Sequence, residues 1–235
     1  MTLLNLEGVT KRYTTGRREY TALLDVSLEV EPGELVAVFG LRRSGRTTLL
    51  RVAAGVEQPD EGTVRFCGED LERANVLGTQ ISYANAAFMP SQGGSVVDHV
   101  AVGLLANGTP LDRARARAHR ALARVGAKEC AELHPRLLDP AESARVALAR
   151  ALVMEPRLLL ADDPTNGVDL LHRDPILALI RSIADEGVGV VMTVGDVVDV
   201  ADRVLTIAGG RVRGDAAAEQ AKVVPLRLAR AEPSA

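Results

Sequence analysis

A short apolar run, Leu35-Val-Ala-Val-Phe39, enters Gly40-Leu-Arg-Arg-Ser-Gly45-Arg46-Thr47, and Thr47-Thr-Leu-Leu-Arg-Val-Ala-Ala54 follows. The first segment reads as a strand buried on both faces and the last as a helix. Between them, Gly40 and Gly45 let backbone N–H groups turn inward around an anion at a helix N-terminus. The spacing is that of the phosphate loop G-x-x-x-x-G-K-[ST], with Arg46 in the lysine place. Thr47 offers a hydroxyl to Mg2+. Arginine keeps the charge but is larger and planar. Arg43 also fills a place often held by Gly or Ser, which crowds the loop. Alone, the segment is also compatible with an ordinary strand–turn–helix containing a chance glycine pair.

The rest of the 235-residue chain has to supply a core around this unit. Hydrophobic residues make up 47% and the net charge is −3, which excludes a disordered chain and a generic nucleic-acid binder. With three Tyr, three Phe and no Trp, that core is made of Leu, Val, Ala and Ile. Cys67 and Cys130 give no disulfide framework and suit a reducing compartment. No run nears 18 apolar residues, and the N-terminus lacks the order of a signal peptide, so a soluble cytosolic domain is expected. Of the 28 cationic residues only those at 11, 128 and 222 are lysine, a bias that codon usage explains.

Strands are expected over 3–9, 23–30, 62–66, 157–161 and 189–193, with a terminal hairpin over 202–213. Helices are expected over 98–106, 111–125, 141–154 and 176–185. Buried strands alternating with helices predict an α/β core, and the mainly helical stretch 76–135 reads as an insertion. The strand Leu158-Leu-Leu-Ala161 ends in Asp162 and Asp163, followed by Pro164 and Thr165. In phosphoryl transfer a first carboxylate supports Mg2+ and a second orients the attacking water. A pair of acids at a strand end serves equally as a cap or turn.

The order Arg145-Val-Ala-Leu-Ala-Arg-Ala-Leu152, MEPRLLLADDPT, then Asn166-Gly-Val-Asp169, resembles an ATP-binding cassette (ABC) transporter nucleotide-binding subunit. The opening VTKRY…ALLDVSLEVEPGELVAVFG is also similar to that family, and closest to the lipoprotein-release and macrolide-export branch. The resemblance covers about residues 3–213. It implies a P-loop NTPase fold: a mainly parallel core sheet, an N-terminal antiparallel β-subdomain and an inserted α-helical subdomain at about 76–153. Residues 1–225 then form one nucleotide-binding domain and 226–235 a loose tail. It further implies that Tyr13 stacks on adenine and that Gly40, Arg43, Ser44, Gly45, Arg46, Thr47 and Thr48 surround the phosphates of ATP. Thr47 and Asp162 would support Mg2+, and Asp169 would cross a dimer interface.

Departures from the family accumulate at its catalytic positions. Asp163 stands where a glutamate is expected, one methylene shorter. The phosphate-reading signature Leu-Ser-Gly-Gly-Gln is replaced by Leu138, Asp139, Pro140, Ala141 and Glu142. Their charge and the missing N–H of Pro140 oppose phosphate binding, while Asp139-Pro140 makes a good helix start. The Q-loop glutamine position falls on Ala86, with Gln92 six residues later. Val194-Gly-Asp196 occupies the switch-histidine segment, and no histidine follows His172. His99, His119, His134 and His172 read as ordinary surface residues. These features predict an ATP-binding subunit with weak or absent turnover, working with permease subunits and a second cassette, homo- or heterodimeric, on the inner membrane face. The alternatives are a non-hydrolysing structural or regulatory subunit, and a soluble non-transport ABC protein.

Overall fold

The computed structural model describes residues 2–16, 18–72, 76–85, 93–196 and 198–217. Ala86, Gln92 and the expected tail 226–235 lie outside the described residues. The chain opens with two long antiparallel strands, β1 (Leu4–Thr15) and β2 (Arg18–Val30), and then β3 (Leu35–Phe39). The helix α1 (Arg46–Ala53) precedes β4 (Glu61–Phe66), β5 (Glu69–Asp70) and β6 (Ile81–Asn85). Three helices follow: α2 (Val96–Ala106), α3 (Leu111–Arg124) and α4 (Pro140–Leu152). The chain then forms β7 (Leu158–Asp162), α5 (Leu170–Asp185), β8 (Gly189–Val194), β9 (Arg203–Ala208) and β10 (Arg211–Ala217).

These strands make two sheets. The N-terminal sheet has the order β2-β1-β4-β5, and its pairings are antiparallel. The core sheet runs β10-β9-β3-β8-β7-β6, parallel throughout except for the edge strand β10. The continuous apolar character of β3, β7 and β8 has a direct cause, since both faces of this sheet are covered. Leu35, Ala37, Leu159, Ala161, Val190 and Met192 pack with residues of α2–α5. Val36, Val38, Leu158, Leu160 and Val191 pack with α1 and the N-terminal sheet. Alternation along each strand therefore feeds two separate cores.

Sequence and structure differ in two instructive places. Ile81–Asn85, inside the stretch expected to be mainly helical, is a parallel edge strand against β7. Its length of five residues and central Tyr83 give it no helical period. The α5 helix begins six residues earlier than expected, at Leu170, because Asp169 caps it, and Pro175 is accommodated within its exposed face. Among the described residues no helix is long and apolar enough to cross a membrane.

Candidate functional site

Parallel pairing brings the C-terminal ends of β3, β6, β7 and β8 to one edge, where α/β sheets gather their ligands. The loop after β3 needs both of its glycines. A Cβ on Gly40 would stand 2.6 Å from Ser44 Oγ and 2.7 Å from the Ile207 carbonyl oxygen. Gly45 has φ 111° and a Cβ there would meet the Ala22 carbonyl oxygen at 2.4 Å. Arg43 takes a left-handed conformation, φ 64°, which costs a non-glycine residue about 1–2 kcal/mol. The loop, with residues 20–22, lines a cleft of about 550 Å3.

The α1 N-terminus at this cleft has no side-chain cap and no acid in its first turn. By contrast Ser95, Asp139 and Asp169 serve α2, α4 and α5. Uncapped helix N–H groups and the dipole together favour an anion. Ser44 Oγ and Arg46 Nη1 are also buried and without a hydrogen-bond partner. A phosphate group supplies the acceptor oxygens that these donors lack, so the loop fits a nucleotide's phosphates.

Two adjacent carboxylates face the loop from the end of β7, and they are held differently. Asp162 is 8% exposed; Tyr83 donates to its Oδ2 at 2.9 Å and Thr193 to its Oδ1 at 2.7 Å. These bonds follow from strand register, which places Asp162 between Asn85 and Thr193. The Tyr83 hydroxyl titrates well above its ordinary range, because of burial and then the Asp162 charge. Each Asp162 oxygen keeps a lone pair for a metal-bound water, and Thr47 is exposed at the second helical position. Thr47 and Asp162 each carry the hard oxygen donor that Mg2+ takes.

Asp163 sits in a left-handed conformation, φ 49°, with its N–H donated to Thr193 Oγ1 at 2.9 Å. Its Oδ2 lies 3.6 Å from Arg46 Nη2. Burial pushes the Asp163 carboxyl above the usual carboxylate range; Arg46 opposes this, and Asp162 and Asp196 add to it. Asp196 is itself paired with Arg173 at 3.0 Å.

The segment at the start of α4 is a closed capping box. Asp139 accepts from the Glu142 N–H at 2.7 Å, and Glu142 accepts from the Asp139 N–H at 2.9 Å. Pro140 is the first helical residue, Ala141 is buried and Leu138 half-buried. The helix start expected from Asp139-Pro140 is present, and its own side chains occupy the N–H groups of Asp139 and Glu142. Asp169 likewise accepts from the N–H groups of Leu171 and His172 at 2.9 and 3.1 Å. Its carboxyl lies below the ordinary range, chiefly through the bond with the His172 side chain.

Tyr13 stacks on Tyr20 with ring centroids 5.3 Å apart, its partner in the β1–β2 register. Its hydroxyl bonds Glu57 and lies 3.5 Å from Thr48 Oγ1. Tyr20, which sequence reasoning did not single out, lines the cleft, and Tyr13 reaches it only through its stack on Tyr20. Tyr83, Thr193 and Arg173 were also missed, because only strand pairing and the α5–β8 approach reveal them. His99 is a correction: it is buried at 5% exposure on the core side of α2 rather than a surface residue. His119, His134 and His172 are exposed. Among the described residues no cluster of His, Cys, Asp and Glu could hold a metal by itself.

The model of the ABC transporter family matches residues 23–166. The chain is 35% identical over 229 residues to the lipoprotein-releasing system ATP-binding protein LolD of Chromohalobacter salexigens, covering 91% of this chain and 94% of that protein. It is 34% identical to the sulfate/thiosulfate import ATP-binding protein CysA of Bacillus cereus, covering 89% of this chain but 60% of that protein's length. Against the macrolide export ATP-binding/permease protein MacB of an Azoarcus species, identity is 30% and the chain spans 34% of the relative. The dimeric structure of MJ0796, a bacterial ABC transporter cassette, superposes with a TM-score of 0.84 at 25% identity, covering 92% of this chain and 99% of that one. A second structure of that cassette, dimeric and in a post-hydrolysis state bound to ADP and Pi, superposes equally well at 0.84.

Proposed function

The chain belongs to the ABC transporter family of ATP-binding cassettes, and we propose that it is a transporter subunit that binds Mg-ATP and turns it over slowly or not at all. The observation that carries this reading is the uncapped α1 N-terminus with Ser44 Oγ and Arg46 Nη1 buried and unpaired beside it. The loop amides, Arg46 and Thr47 bind and orient the phosphates, and Tyr20 and Tyr13 form an aromatic edge beside them. Thr47 and Asp162 would hold Mg2+, which would neutralise phosphate charge when bound. Tyr83 and Thr193 fix the Asp162 carboxylate for that task.

Slow turnover follows from what these residues lack. Asp163 is one methylene shorter than glutamate, and Arg46 already engages it. Each general-base or electrostatic group lost costs about 10²–10³ in rate, and the losses are not additive. The capped start of α4 weakens the contact that a partner subunit's nucleotide would seek there. Pairing with a second cassette, the same chain or a more complete one, accords with the dimeric relative. A groove of about 440 Å3 between β6, α2 and α4, lined by Tyr83, Asn85, Gly103, Ala147 and Met154, suits docking by a permease segment. On this reading the subunit works at the cytoplasmic face of a membrane, held there by its partners.

A second reading, a purely structural or regulatory subunit, is favoured by the capping box of Asp139 and Glu142. Calorimetric titration with Mg-ATP separates the two, alongside phosphate release by the chain and its complex. Micromolar binding with little turnover supports the first reading. Absence of binding supports the second, and fast turnover abolished by Arg46→Ala overturns both.

A further inference from the structure

The two carboxylates at the end of β7 differ in how firmly they are held. Asp162 accepts hydrogen bonds at 2.9 and 2.7 Å from Tyr83 and Thr193. The Asp163 carboxylate, 31% exposed, meets Arg46 at 3.6 Å, beyond hydrogen-bond length. One acid is locked and the other loosely paired.

Arg46 is correspondingly half-satisfied. Its side chain is 13% exposed, Nη2 faces Asp163, and the buried Nη1 has no acceptor. Nη1 points toward Gly195, where a Cβ would meet it at 3.8 Å and would meet nothing else within 4 Å. Gly195 has no left-handed φ, so the backbone does not demand glycine there. Its effect is spatial: a Cβ there would already touch the guanidinium, and a branched side chain would crowd it. Arg46 Nη1 therefore lies against position 195, with ordinary contact distance left for a Cβ and less for anything branched.

We infer that Asp163 is a placeholder for the terminal phosphate of a nucleoside triphosphate, exchanging with it as the partner of Arg46 in the room left by Gly195. The inference rests on the nucleotide-binding reading and adds how the site separates triphosphate from diphosphate. A terminal phosphate offers a guanidinium two parallel charge-assisted bonds, which a single carboxylate oxygen at 3.6 Å does not. It also satisfies Nη1. A diphosphate lacks the displacing group and leaves the Arg46–Asp163 pair closed. On this account Asp163 competes with the substrate's terminal phosphate rather than activating water.

The test is calorimetric titration of the full chain with ADP and with the β,γ-imido analogue of ATP, both with Mg2+. Asp163→Asn suits the position because Asn tolerates the left-handed backbone. It is expected to tighten the analogue about fivefold, the worth of a loose, part-exposed ion pair, and to leave ADP within about twofold. Gly195→Val is expected to act oppositely, weakening the analogue about tenfold with ADP unchanged, as crowding displaces a charge-assisted contact. Equal effects on both nucleotides, or weaker analogue binding by Asp163→Asn, overturn the exchange. An unchanged analogue-to-ADP preference in Gly195→Val overturns the role of that glycine. Affinity for neither nucleotide in the wild-type chain overturns the functional reading along with the exchange. ADP binding without the selective Asp163→Asn effect overturns the exchange alone.

Discussion

Thr193 holds both aspartates at the end of β7, one by its carboxylate and the other by its backbone N–H, so Thr193→Val is the substitution with the largest expected consequence for its size. The side chain is fully buried at 0% exposure; its hydroxyl donates to Asp162 Oδ1 at 2.7 Å and accepts the Asp163 N–H at 2.9 Å. Valine keeps the shape and removes both bonds. A hydrogen bond to a charged group is worth about 1.5–3 kcal/mol, and an orphaned buried N–H costs about 1–3 kcal/mol. The added methyl returns about 0.8 kcal/mol of apolar burial. The net expectation is about 2–5 kcal/mol of lost stability, a fall in Tm of about 4–20 °C for a domain of this size. Scanning calorimetry and urea unfolding measure it, with an unchanged m-value showing that the denatured state is unaffected. Tyr83→Phe is the companion variant. The two share one carboxylate, so their double mutant should cost less than the sum of the singles. A Thr193→Val protein within about 0.5 kcal/mol of wild type would refute the idea that this hydroxyl anchors the end of β7.

Three further outcomes follow from other parts of the site. Asp139→Ala removes a cap bond of 2.7 Å and should lower stability by about 1 kcal/mol, read from the urea midpoint. Arg43→Gly relieves a left-handed φ of 64° but adds unfolded-state freedom, for a net gain of about 0.5–1 kcal/mol in thermal melts. An unchanged or lower Tm would show that the loop does not strain there. The pH dependence of Asp163→Asn is the third. Because the folded-state pKa of Asp163 is raised above its ordinary 3.8, the native chain holds that proton more tightly than the unfolded chain. Its contribution to stability is full below 3.8 and is lost as pH rises through the raised value. Asp163→Asn should therefore melt above wild type at neutral pH, with the gap closing as the pH falls toward 4. A gap that widens on acidification would reverse the sign of the argument.

The elements that position the site were legible wherever one physical cause dominates. Leu35–Phe39 and Leu158–Asp162 have the apolar continuity that two covered sheet faces impose, and the structure supplies both faces. Gly40 and Gly45 announce the loop because nothing else fits beside Ile207 and Ala22. The Asp139-Pro140 helix start is equally local, a cap and a proline at adjacent positions. What the sequence hides is register. Tyr83 and Thr193 reach Asp162 only because β6, β7 and β8 pair in parallel with residues 85, 162 and 193 alongside each other. Tyr20 meets Tyr13 through the β1–β2 pairing, whose register shifts no alternation pattern predicts. His99 was misplaced because α2 is apolar around most of its circumference, which leaves no polar face to assign.

The proposed function is that of a cassette whose nucleotide-binding loop is kept while its catalytic positions are weakened. The most direct test mixes purified chain with radiolabelled Mg-ATP at enzyme excess and follows both bound nucleotide and released phosphate in one sample. The prediction is saturable retention of ATP, abolished by Arg46→Ala, with a single-turnover rate at least about 10²-fold below that of a cassette carrying the catalytic glutamate. Rapid phosphate release by the wild-type chain that disappears in Arg46→Ala would contradict it.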